Sequence, residues 1–151
     1  MVRVTLDADI LVYALQADDD RHGSARAIVA RAIAGDCVQT LQSLAECFHA
    51  LVRERRLPPE RARSEVEALR RNLPVEAAAP EDLERAMWAV TRHQLSFWDA
   101  MLWATARRAG CRLILSEHVH DGRDLDGVMF VNPFDPASAK LLDLALPPLE
   151  A

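Results

Sequence analysis

The chain is 151 residues long and 50% hydrophobic, enough for one domain with a substantial core and too short to favour two. Its net charge of −5 excludes a sequence-blind nucleic-acid binder that works through a uniformly basic surface, although not a local basic groove. No apolar run approaches the roughly 18 to 20 residues that a membrane span requires, and Met1 leads into VRVTL without a basic-then-apolar leader, so a cytoplasmic, membrane-free protein is expected.

VRVTL reads as a buried strand, and after ILVYAL the polar QADDDRHGS marks a break before the alanine-rich helix ARAIVARAIAG, closed by Gly35. CVQT fits a second strand. LQSLAECFHALVRERR is helical by length and propensity and ends at Pro58-Pro59; ERARSEVEALRRNL makes another helix before Pro74. VEAAA is a weak strand candidate, and PEDLERAMWAVTRHQ opens as a helix N-terminus should, with proline and two acids. FWDAMLWATARRAG is a further helix ending at Gly110. CRLILS and VMFV then read as strands separated by the polar loop EHVHDGRDLDG, and the tail from Asn132 holds a short helix at most. Strands alternating with helices predict an α/β protein, a three-layer α/β/α sandwich around a mainly parallel central sheet. The expected division is a domain over 1–134 with a tail, 135–151, belonging to it. Cys37, Cys47 and Cys111 are odd in number and scattered, so they are expected to be small core residues.

Three acids interrupt mostly apolar segments: Asp7 in VTLDADILVYAL, Glu46 in LQSLAECFHALV and Asp99 in FWDAMLWATA. Asp7 ends the first strand, where open α/β sheets place ligand sites. Asp9, two residues on, is explained by helix N-capping, and Ser43-x-x-Glu46 and Ser96-x-x-Asp99 both have capping-box spacing. Against that bland reading, the helix holding Asp99 is apolar nearly all round, which predicts burial, and no lysine or arginine lies within a turn of Glu46 or Asp99. An unpaired carboxylate taken out of water costs several kcal/mol, so such groups are paired, protonated or bound to a cation. One Mg²⁺ or Mn²⁺ would satisfy Asp7, Glu46 and Asp99 together and leave room for a phosphate. LDADI also matches the start of haloacid-dehalogenase-type phosphatases, but those enzymes need a nearby lysine, and the only lysine, Lys140, lies in the tail. No Gly-rich phosphate loop or nucleophile elbow is present.

The basic residues are almost all arginine. Seven of them, including Arg55 and Arg56, fall in RERRLPPERARSEVEALRR beside four glutamates, which makes this stretch locally positive in an acidic chain. A salt-bridged helical hairpin is the bland reading; phosphate contacts from Arg55 and Arg56 are the functional one.

With these acids in place, LDADILVYAL, TLQSLAECFHAL, LSFWDAMLWATARRAGCRLILSE and DGVMFVNPF run in the order of a PIN-domain ribonuclease, and the chain resembles the VapC-type toxins of toxin-antitoxin pairs from Val2 to Phe134. The resemblance implies Mg²⁺- or Mn²⁺-dependent endoribonucleolytic cleavage of RNA, with Asp7, Glu46 and Asp99 as the metal-holding catalytic acids and Glu46 or Asp99 taking a proton. It also implies an antitoxin partner and a homodimer. Asp9 stands where the family usually has Asn, and His118 where it usually has a fourth acid, which is the clearest departure. Strand alternation puts Ser116 and His118 on one side and Glu117 on the other. His118 is therefore a candidate catalytic group, Asp9, Ser116 and Asp121 are candidate supports, and a loop acid, Asp121 or Asp124, is an alternative source of the missing charge. Other readings are a catalytically weak RNA-binding module of this fold and a housekeeping RNA-processing nuclease without an antitoxin.

Overall fold

The computed structural model describes residues 2–118 and 122–149. Four strands form one sheet in the order β1 (Val4–Leu6), β4 (Leu113–Leu115), β6 (Val128–Val131), β5 (Asp124–Leu125). β1, β4 and β6 run parallel, and only β5 is antiparallel. A parallel pair, β2 (Gln39–Thr40) and β3 (Val75–Glu76), extends the other edge through a single bridge from Cys37 to Val4. Where β1 and β2 splay apart, the buried Gln39 side chain closes the gap: its Nε2 donates to Leu6 O at 2.6 Å and its Oε1 accepts from Leu6 N at 3.4 Å. A side chain thus replaces a missing backbone rung.

Alternation along each strand sorts the core into two layers. Leu113, Leu115, Met129 and Val131 face α1 (Ala8–Leu15), α2 (His22–Ala34), α3 (Leu41–Arg53) and α4 (Pro59–Asn72), whereas Ile114, Val128 and Phe130 face α5 (Pro80–His93) and α6 (Phe97–Arg108). The predicted α/β/α sandwich with a mainly parallel sheet is what forms, and strands covered on both faces explain their mainly apolar sequences. The tail packs into the same core: α7 (Ala139–Ala145) contributes Leu142 and Ala145, and Leu146 follows. Arg31 ties this end down by donating to Pro147 O at 2.8 Å and pairing with Asp143 at 2.9 Å. Gly35 is required there, because a Cβ would stand 2.8 Å from Pro147 Cδ. All three cysteines are buried and free, as expected of core residues, and burial pushes each thiol up to about 12. Among the described residues no helix is long and apolar enough to cross a membrane.

Several local expectations need correction. The loop EHVHDGRDLDG contains a strand: Asp124–Leu125 pairs with β6 across a tight turn in which Gly127 adopts φ +84°, and Asp124 Oδ1 accepts from Gly127 N at 2.9 Å. That carboxylate lines a groove with Val2, Arg112 and Leu144 rather than the acids, so Asp124 does not supply the fourth charge. Ser43 does not cap α3. Thr40 does, accepting from Ser43 N at 3.1 Å, which places Glu46 in the helix interior and removes the capping explanation for it. Pro59 opens α4 at a position where its missing N–H costs nothing, rather than only closing α3.

Candidate functional site

The parallel register sets the site. Leu6 pairs with Leu115, and Leu115 with Val131, so the residues that follow, Asp7 and Ser116, emerge side by side at the carboxyl ends of adjacent strands. Two backbone bonds hold them, Asp7 N to Leu115 O and Ser116 N to Val131 O, both 2.9 Å. The Ser116 hydroxyl donates to Asp7 Oδ2 at 2.9 Å, and Ala8 N donates to Asp7 Oδ1 at 2.8 Å. Asp7 is therefore the N-cap of α1, the role the sequence suggested for Asp9. Asp9 lies in the first turn, where Oδ1 accepts from Ile10 N at 2.8 Å and Oδ2 from Glu117 N at 3.0 Å.

Asp7, Asp9, Glu46, Asp99 and His118 line one cleft of about 590 Å³. Helix α3 forms its wall with Gln42, Ala45, Glu46, His49 and Ala50, spaced as one face of a helix. Asp99 enters from the first turn of α6, where Ser96 Oγ accepts from Asp99 N at 3.4 Å, so that its capping role is real but leaves the carboxylate to the cleft. This turn is open rather than buried: Trp98 is 63% exposed, and burial begins only at Ala100. His118 Nε2 stands 3.6 Å from Asp9 Oδ2, while Glu117 turns away to pair with Arg21 and accept from Tyr13 Oη at 3.4 Å. The split between His118 and Glu117 follows the expected alternation. Asp121 lies outside the described residues.

Crowded acids in a partly buried cleft resist ionising together. Burial raises the Asp7 carboxyl and the charge of Asp99 raises it further, against hydrogen bonds from Ser116 and Ala8. Asp9 is pushed up to about 6 by burial and by the charge of Asp7. Glu46 is raised by desolvation and by Asp7 and Asp99, despite a bond from Gln42 Nε2 at 2.6 Å; Glu46 is an exposed residue, so water screens this shift.

The donor set is hard carboxylate oxygen with one imidazole, which suits Mg²⁺ or Mn²⁺. Among the described residues, no three such side chains converge as they stand into a finished ion cage. Neutral donors meet two of the acids instead, Ser116 on Asp7 and Gln42 on Glu46, and a cation would compete with these bonds. Gln42, Tyr13, His49 and Trp98 also line the cleft although the sequence reading did not select them; Gln42 was legible as the residue one helical turn before Glu46. Arg55 lies at the cleft with its guanidinium 3.1 Å from Asp19 Oδ2 and 6.0 Å from the Tyr13 ring centroid. Arg56 is exposed on the following turn, at φ 57°, and does not line the cleft.

Among solved structures, VapC20 of Mycobacterium tuberculosis, described as a sarcin-ricin-loop-cleaving toxin, is similar with a TM-score of 0.63 and 25% identity, over 79% of this chain and 90% of that one. A toxin-antitoxin complex from Klebsiella pneumoniae shares the fold at a TM-score of 0.63 and 17% identity, over 87% of this chain and 98% of that one. So does DNA-bound VapBC from Salmonella typhimurium, at a TM-score of 0.62 and 16% identity, over 86% and 97% respectively. No curated protein matches the sequence. The PIN domain family matches residues 4–119, most of the chain and every acid of the cleft, and the chain belongs to that family.

Proposed function

We propose that this protein is a metal-dependent endoribonuclease of the VapC type, the toxin of a toxin-antitoxin pair. The observation that carries the proposal is the gathering of Asp7, Glu46 and Asp99 at the carboxyl end of a mainly parallel sheet, in one cleft of about 590 Å³. Asp7, Glu46 and Asp99 would hold a divalent cation there, Mg²⁺ or Mn²⁺, which would supply positive charge to the phosphodiester as negative charge develops. Asp7 and Asp99 are its principal holders. Glu46, which lines the cleft and whose exposure lets water reach it, accepts the proton of the attacking water. Asp9 and Ser116 position the others: Ser116 fixes the Asp7 carboxylate, and Asp9 pins the backbone of Glu117 beside His118. Arg55, and Arg56 more weakly, guide the RNA phosphates. An antitoxin, a homodimer and a cytoplasmic setting complete the reading. VapBC complexes among the structures of the same fold support the antitoxin.

The test is cleavage of single-stranded RNA by the purified protein in EDTA, then with Mg²⁺ or Mn²⁺ added. Cleavage with a cation and none in EDTA is expected; cleavage that ignores the chelator removes the proposal, and RNA binding without cleavage under any metal favours a non-catalytic RNA-binding module.

His118 gives a second expected result. It supplies no negative charge where it faces Asp9, so the site holds a hard cation less tightly than it would with an acid at position 118, and imidazole favours Mn²⁺ over Mg²⁺. His118→Asp is expected to tighten Mg²⁺ several-fold in calorimetric titration and to raise cleavage in Mg²⁺. Equal Mg²⁺ affinity in the two proteins would place His118 outside the metal site.

A further inference from the structure

Trp98 is the most exposed of the three tryptophans, at 63%. Trp103 is buried and donates to Leu125 O at 3.1 Å, and Trp88 lies on α5 against His93. An exposed indole gives up the apolar burial that usually justifies the residue, so its place calls for a ligand. It stands directly before Asp99, braced by Phe97 in a T-shaped contact with centroids 4.9 Å apart. Its backbone is tied to the acids as well. Gln42 Nε2 donates both to Trp98 O, at 3.0 Å, and to Glu46 Oε1, at 2.6 Å, so one amide ties the backbone at Trp98 to the carboxylate.

Beside Trp98 runs a mainly apolar groove of about 530 Å³, walled by Leu41, Ala78 and Met101. The groove and the acidic cleft share Gln42, Ala45, Glu46 and Trp98, so the two are continuous. Just past the C-terminal end of α3 stands Arg55, which also lines the cleft. The cleft therefore presents a guanidinium just past one end of α3, acids beside its middle and, from the first turn of α6, a flat aromatic at the other end. A polymer that alternates anionic phosphates with flat apolar rings matches that order. Single-stranded nucleic acid does so, and every base offers a face to stack. A base within a duplex does not.

We infer that Trp98 is a stacking platform for an unpaired nucleobase of single-stranded RNA, adjoining the phosphodiester that is cut, with the Leu41–Met101 groove receiving the base. This rests on the nuclease reading and adds to it a positioning residue and a preference for unpaired RNA. Binding energy from the stacked base holds the neighbouring phosphodiester against the acids.

The experiment uses the full-length protein with a mixed-sequence single-stranded RNA oligonucleotide and the same strand annealed to its complement, comparing wild type, Trp98→Ala and Trp98→Phe. Trp98→Ala is expected to raise Kd and KM about tenfold, the weight of one stacked base, with kcat changed far less. Trp98→Phe recovers most of that loss. RNA quenches tryptophan fluorescence in wild type and not in Trp98→Ala, and the duplex binds more weakly than the single strand. Cleavage by wild type with an unchanged KM in Trp98→Ala overturns the platform and leaves the nuclease intact. A wild type that neither binds nor cuts RNA with metal present overturns both. An unchanged KM together with lost self-association or lost binding of a partner protein in Trp98→Ala assigns the groove to a protein and overturns the inference. Equal melting temperatures in the three proteins, expected for an exposed residue, exclude misfolding as the cause.

Discussion

Asp7→Asn is expected to lower metal-dependent RNA cleavage by on the order of 10²- to 10³-fold, the loss that follows removal of one electrostatic element from a transition state, and to raise the melting temperature of the metal-free protein. The two effects have one cause. Asp7 sits at the strand end with its carboxyl raised by burial and by Asp99, and its charge raises Asp9 and Glu46 in turn. Asparagine keeps an acceptor for Ala8 N, and the Ser116 hydroxyl can rotate to accept from the new amide, so most local bonding survives while the repulsion goes. A gain of 1–2 kcal/mol corresponds to roughly 2–8 °C for a domain of this size. Added Mn²⁺ should then stabilise wild type and leave the variant nearly unmoved, because a ligand stabilises only as far as the folded state binds it. A variant that melts lower than wild type in EDTA would mean that Asp7 is there for structure.

The same cluster makes the metal-free protein sensitive to pH in an unusual direction. The folded pKa of Asp9, about 6, lies above its ordinary 3.8, so the folded state holds the extra proton between those values. Stability from this group is full below about 4 and is lost as pH rises through about 6. Bound cation reverses the trend by favouring the ionised acids.

Much of this was legible in the sequence, and the failures have identifiable physical origins. The parallel strands announced themselves because burial on both faces makes LIL and VMFV continuous apolar runs and leaves VTL interrupted only by the buried Thr5. β5 did not, since Asp124–Leu125 is held by its pairing with β6 and by the Gly127 turn rather than by any propensity of its own. Asp7, Glu46 and Asp99 stood out because acids are rare in such surroundings. Gln42 escaped selection for the opposite reason: it is an ordinary polar residue whose importance lies in what it touches, Glu46 four positions on, whereas Ser116, which bonds Asp7 across 109 positions of chain, was reached through the family pattern and strand alternation. The transfer of the capping role from Asp9 to Asp7 turned on two residues of helix boundary, the least legible quantity in a sequence. Trp98 was read as core because its helix is apolar, yet the first turn of a helix can stand clear of the core that the rest enters.

Arg108→Ala is expected to destabilise the fold by about 3–5 kcal/mol at pH 7, more than Asp82→Ala, with the difference shrinking near pH 4. Asp82 is 2% exposed in its side chain and accepts from Ala79 N at 2.8 Å, Thr105 Oγ1 at 3.2 Å and Arg108 Nε at 3.0 Å. Arg108 also reaches Glu76 at 2.6 Å and Ala77 O at 2.7 Å, so this one pair joins α5, α6 and β3. The partners are unequal when orphaned. Arg108, 29% exposed in its side chain, keeps Glu76 and water if Asp82 is lost, and Asp82→Ala should cost about 1–3 kcal/mol for the unmet Ala79 and Thr105 donors. Without Arg108 the Asp82 carboxylate stays buried with two neutral donors. Burial tends to raise Asp82, but bonds from Arg108 and Ala79 outweigh it and hold the carboxyl below 3.8 in the native protein. Wild type therefore keeps this stability above pH 3.8 and loses it only as pH falls through the lower folded value. In Arg108→Ala, burial prevails, the folded pKa rises above 3.8, and the penalty is relieved as pH falls towards 4. Urea unfolding of both variants and the double variant at pH 7 and pH 4.5 measures the coupling, and a cost of Arg108→Ala that is the same at both pH values would show that Asp82 does not depend on its arginine for charge.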